Sequence, residues 1–113
     1  MTTKYDLTQK TYAMFAKRAM EENRAEDPNF TWTIKAINKS SIKFNWSYIG
    51  KTEDFVLTVT EAGDEAYVVV KIPGCTADVF ILVGDDRWSD AKSVEMGIYK
   101  AIKLAANTAK RVF

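Results

Sequence analysis

With 113 residues, 47% of them hydrophobic and 27% charged, the chain has the size and apolar content of one compact domain over residues 1–113. Sixteen basic residues against fifteen acidic ones leave a formal charge of +1, which excludes the strongly basic signature of a nucleic-acid coat. There is no histidine and one cysteine, Cys75, so the commonest general base, the commonest metal ligand, an intrachain disulfide and a Cys-x-x-Cys site are all excluded.

The opening stretch Met1-Thr2-Thr3-Lys4-Tyr5-Asp6 lacks the apolar core of a signal peptide. The apolar run Val79–Val83 would span about 17 Å as a strand, too short for a membrane helix. The sequons at Asn38 and Asn45 matter only in a secreted chain. The expectation is a cytoplasmic protein with Cys75 reduced.

Residues 6 to about 25 predict a helix. Tyr12, Phe15, Ala16, Ala19 and Met20 recur at helical spacing, and Asp6-x-x-Gln9 has the form of a capping box. Asp27-Pro28 ends it, because a residue before proline is driven out of the α region.

Four alternating segments follow. Phe30, Trp32, Ile34 and Ala36 share one strand face, and Ile42, Phe44, Trp46 and Tyr48 the next. Phe55, Leu57 and Val59 mark a third strand, and Ala66, Val68, Val70 and Ile72 a fourth. The links Asn38-Lys39-Ser40, Gly50-Lys51-Thr52-Glu53-Asp54 and Ala62-Gly63-Asp64 are short and polar, which favours an antiparallel meander. After Pro73-Gly74, Val79–Val83 is apolar on both faces and reads as a fifth strand, central or covered on both sides. Ser89 is placed to cap a last helix, with Asp90 in its first turn and Val94, Ile98, Ala101, Ala105, Ala109 and Val112 as its buried stripe.

The expected fold is therefore α+β, a five-stranded antiparallel sheet flanked by an N-terminal and a C-terminal helix, in the order α-β-β-β-β-β-α. Both helices should lie on the aromatic face. The other face mixes Thr31, Thr33, Lys35, Lys43, Asn45, Ser47, Thr58 and Thr60 with Ile37, Ile49, Val56, Tyr67 and Val69, a surface that could seat a second copy as a homodimer.

Chemistry-bearing constellations are sparse. Asp85, Asp86 and Asp90 could hold Mg²⁺, but no second ligand group stands at a defined spacing; a solvated loop is the simpler reading. Serine and cysteine lack an activating histidine, and Cys75 reads as a small buried side chain. No glycine-rich nucleotide loop occurs. The expectation is a protein that is not an enzyme and needs no cofactor.

The charge pattern says more. Lys100, Lys103, Lys110 and Arg111 gather on the last helix, and Lys10, Lys17, Arg18 and Arg24 on the first. From Lys51 to Trp88, Glu53, Asp54, Glu61, Asp64, Glu65, Asp78, Asp85 and Asp86 face only Lys51, Lys71 and Arg87. Late basic residues also complement a helix dipole, so a solvated face competes with an anion-binding one.

The sequence thus predicts a small non-catalytic protein that sequesters an anionic ligand such as a cyclic nucleotide. Arg18, Arg24, Lys103 and Arg111 would contact phosphate, and Phe80 and Trp88 would stack on a base. A phage-type inhibitor of host defence fits that size. The alternative is a protein–protein inhibitor presenting the acidic turns Glu53-Asp54 and Asp64-Glu65 to a basic partner. Direct nucleic-acid binding is disfavoured, because the total charge is small and most sheet aromatics read as inward.

Overall fold

The computed structural model describes residues 6–62, 65–72, 79–83 and 93–112. The order is α1 (Lys10–Glu26), β1 (Phe30–Ile37), β2 (Ser41–Tyr48), β3 (Lys51–Ala62), β4 (Glu65–Lys71), β5 (Val79–Val83) and α2 (Val94–Val112). The architecture is α+β. An antiparallel sheet in the order β1-β2-β3-β4-β5 carries two helices on one face. β1 to β4 form the body of the meander, and the five-residue β5 pairs along β4.

The period-two pattern places the core. Phe30, Ile42, Phe44, Trp46, Phe55, Leu57, Val68, Val70 and Ile81 are buried on the face that receives the helices. Six rings of β1, β2 and β3 interlock there. Phe44 stacks on Phe55 with centroids 5.6 Å apart, and Trp46 meets Phe55 edge-on at 5.5 Å.

α2 crosses this face obliquely. Its first turns lie on β4 and β5, where Gly97 sits against Val68 and Val83. At its last turn, the Lys110 ammonium lies 4.6 Å above the Phe30 ring of β1. The helix buries Val94, Ile98, Ala101, Ala105 and Ala109, as the spacing predicts, with Ile102 and Ala106 widening the stripe. Among the described residues its N-cap is Ser93, whose Oγ accepts the Met96 N–H at 3.4 Å. The predicted cap Ser89 and the neighbouring Asp90 lie outside the described residues, as does the side chain of Val112.

α1 packs beside α2, and the two run parallel: Arg18 and Glu22 lie by Tyr99, Glu26 by Lys103 and Asp27 by Lys110. α1 buries Tyr12, Ala16, Ala19, Met20 and Asn23, while Phe15 is only partly covered. The helix begins later than predicted, and the capping box is not formed. Asp6 instead closes a turn ahead of the helix, accepting from the Thr8 N–H at 3.0 Å and from the Thr8 hydroxyl, and Gln9 makes no side-chain cap. The helix ends at Glu26 as expected before Pro28, with the Asp27 N–H donating to the Asn23 carbonyl at 2.9 Å.

Three further sheet details differ from the sequence reading. β1 has a bulge at Lys35: Ile34 faces Phe44, but Ala36 faces Lys43 and Ile37 faces Ile42. The extra residue inverts the alternation, so Ile37 joins the core and Ala36 turns outward. The β2–β3 link is a two-residue turn, Ile49-Gly50, with φ of 48° and 78°, rather than a five-residue loop. Two successive positive φ values are the type I′ pattern that matches strand twist. Finally, β5, expected to be central or covered on both sides, pairs among the described residues with β4 alone, at the end of the strand order.

Candidate functional site

The two helices bring Arg18 and Lys103 together, as an anion site across them would need, but with carboxylates between. Glu22 accepts the Tyr99 hydroxyl at 2.5 Å, lies 3.4 Å from Arg18 Nε and 3.6 Å from Lys103 Nζ. Glu26 takes Lys103 Nζ at 3.0 Å. Both cations also flank the Tyr99 ring, at 5.7 and 5.9 Å from its centroid. The Tyr99 hydroxyl holds the Glu22 carboxyl below its ordinary pKa, and Glu22 in turn raises Tyr99. Burial alone would pull Lys103 down, but Glu26, Tyr99 and Glu22 together raise it. This is a neutralised clamp between helices. Two small clefts flank it, one of about 150 Å³ by Met14, Phe15 and Arg18, the other of about 160 Å³ by Arg18, Met96 and Tyr99.

Arg24 and Arg111 are exposed and stand elsewhere. Six residues along a helix rotate a side chain by about 240°, which puts Arg24 on the opposite flank of α1 from Arg18. Arg111 sits one position beyond Lys110, on a flank of α2 turned away from α1. Lys110 is itself occupied, 3.7 Å from Asp27 Oδ2 and over Phe30. Asp27 is held below its ordinary pKa by the Asn29 backbone N–H and by the Tyr48 hydroxyl.

Phe80 stands opposite Val69 in the β4–β5 ladder, and its side chain lies outside the described residues, as do Trp88, Cys75, Asp85 and Asp86. Of the two acidic turns, Asp64 is outside them too, and Glu53-Asp54 lies within β3 rather than in a turn. Asp54 sits in a polar cluster on the uncovered face. It accepts Asn45 Nδ2 at 2.9 Å and Lys35 Nζ at 3.2 Å, with Lys43 Nζ at 3.9 Å. Asn45 first, then Lys35, lower its pKa. Among the described residues no three His, Cys, Asp or Glu side chains gather to hold a metal, and no helix is long and apolar enough to cross a membrane.

One opening among the described residues is missed by charge counting. On the sheet face opposite the helices, a shallow groove of about 570 Å³ is lined by Ser40, Thr58, Val59, Thr60, Tyr67, Val69 and Lys71. Its described lining holds an ammonium, a phenol and three hydroxyls, and no carboxylate. Lys71 is exposed and has no ion-pair partner among the described residues. The ladder Lys43–Val56–Lys71 sets a second lysine in the same row of the face, two strands away. The alternation of β3 and β4 signals this face in the sequence. The pairing register, which no single strand reveals, assembles the groove. Comparison with family models, with curated proteins and with solved structures gave no match.

Proposed function

We propose that this chain is a non-catalytic binding protein whose anionic ligand sits on the uncovered sheet face. The observation that carries the reading is the composition of the groove among the described residues: Lys71 without an ion-pair partner, Tyr67 four residues away along the same strand, hydroxyls from Ser40, Thr58 and Thr60, and no carboxylate. An ammonium attracts phosphate, hydroxyls complete its hydrogen bonds, and a phenol ring offers a face to a base. A nucleotide is the ligand class that uses all three. The helix cations support it less well, because Arg18 and Lys103 already serve Glu22 and Glu26. The absence of histidine argues against turnover by histidine-activated nucleophiles, which supports a binding role.

Native mass spectrometry of the purified protein, followed by calorimetric titration with cyclic and linear mononucleotides, tests this. Binding should weaken at least about tenfold in Lys71→Ala and in Tyr67→Ala, since a charged contact or a stacked ring is worth about 1–3 kcal/mol. Arg18→Ala should leave affinity unchanged. Affinity lost in Arg18→Ala and retained in Lys71→Ala would return the site to the helices. No binding of any mononucleotide would overturn the ligand class.

A further inference from the structure

The two edges of the sheet are built differently. β1 carries the devices that block strand addition: the bulge at Lys35 breaks its ladder, and Lys35 itself is a charged residue on that edge, tied to Asp54 at 3.2 Å. β5, at the other edge, carries none of them. Val79-Phe80-Ile81-Leu82-Val83 has no charge, proline, glycine or bulge, and among the described residues it pairs on one side only.

We infer that β5 is the joint of a homodimer, in which it pairs antiparallel with β5 of a second copy to form one continuous sheet. A second copy suits this edge because the strand is complementary to itself. A two-fold axis at Ile81 sets Ile81 against Ile81, Val79 against Val83 and Phe80 against Leu82. No like charges meet, since the strand has none. The register also preserves the faces. Val79, Ile81 and Val83 belong to the core side. They meet one another across the axis, so the two cores join and both α2 helices lie on one side. Phe80 and Leu82 stand opposite Val69 and Tyr67 in the ladder, and the two-fold sets them at facing register positions. On the open side the two grooves share one surface. The two β4 strands are three strand spacings apart, about 14 Å. The joint stands independently of what the grooves bind.

Sedimentation velocity on the full chain, from about 1 µM to about 1 mM, reads the equilibrium. The mass should climb from 12.8 kDa toward twice that value. Phe80→Glu and Leu82→Lys should each hold the protein at the monomer mass where the parent is dimeric, with circular dichroism unchanged. Mixed in equal amounts they should recover the dimer, because the inferred register places the new carboxylate opposite the new ammonium. A parent that stays monomeric throughout, a dimer indifferent to both variants, or a mixture that fails to recover it would each overturn the proposal. Hydrogen exchange on the unmodified chain covers a variant that does not fold. The β5 amides that point away from β4 should gain protection as concentration rises, and protection independent of concentration would refute the joint.

Discussion

Gly97 of α2 lies so close to Val68 of β4 that a Cβ on it would stand 2.9 Å from Val68 Cγ2 and 3.1 Å from Val83 Cγ2. The glycine sets how deeply α2 seats on the sheet. Gly97→Ala gains about 1 kcal/mol of helix propensity, but overpacking against two stiff β-branched side chains costs about 1–3 kcal/mol. The expected outcome is a net loss of about 1 kcal/mol in urea denaturation. A gain in stability would mean that α2 rides higher than described.

Trp46 has 0% exposure, with Phe55 edge-on beneath it and Phe30 at 4.9 Å. Trp46→Ala should destabilise by about 3–5 kcal/mol, by lost burial and a cavity that rings on three strands close poorly. Near-native stability of that variant would contradict the packing of the aromatic face.

Ile49 holds φ of 48° at the hairpin tip while 68% exposed. A β-branched residue in that region is strained by about 1–2 kcal/mol, whereas Asn tolerates it and Asn-Gly is favoured for this turn. Ile49→Asn should therefore stabilise by about 1 kcal/mol, raising the melting temperature by about 4 °C. An unchanged or lower melting temperature would show that the side chain makes a contact outweighing the strain.

Acid should loosen the clamp between the helices. The Tyr99 hydroxyl, followed by Lys103 and Arg18, lowers the Glu22 pKa below its ordinary 4.5. A carboxyl whose folded pKa is depressed adds stability that is fully present above the ordinary value and disappears as pH falls through the folded one. Asn45 does the same for Asp54, and the Asn29 backbone N–H for Asp27, both below 3.8. Urea midpoints should thus hold steady from neutral pH to about 5 and fall below that. Glu22→Gln should shallow the fall, and Tyr99→Phe should both lower the neutral midpoint and reduce the acid loss. Curves that superimpose with the parent would deny the clamp any part in acid stability.

The inner face was legible because burial imposes a period of two. Phe44, Trp46, Phe55, Leu57, Val68 and Val70 all point inward as their alternation requires. Alternation cannot register an inserted residue, so Ala36 and Ile37 exchange faces at the bulge. The Ile49-Gly50 turn was hidden because isoleucine is a poor residue for positive φ, and the polar run from Lys51 to Asp54 resembled a loop. β5 read as central or covered on both sides because it is apolar on both faces, a pattern that does not by itself fix a strand's place in the sheet. The site suffered from a different blindness. Counting cations on α1 and α2 cannot reveal that Glu22 and Glu26 share their flank, whereas Lys71, isolated in sequence among valines, has no ion-pair partner among the described residues.

The oblique path of α2 also has a consequence in time. Each strand pairs with its sequence neighbour, so the meander can zip hairpin by hairpin as the polypeptide is made. Its cover cannot follow the same schedule. α2 leaves the ribosome after every strand it shields, and α1, made first, has little to hold until Tyr99 and Lys103 arrive 77 residues behind Glu22 and Glu26. Through that interval Phe44, Trp46 and Phe55 face water or a chaperone. A nascent chain stalled short of α2 is thus the form of this protein most exposed to aggregation and proteolysis.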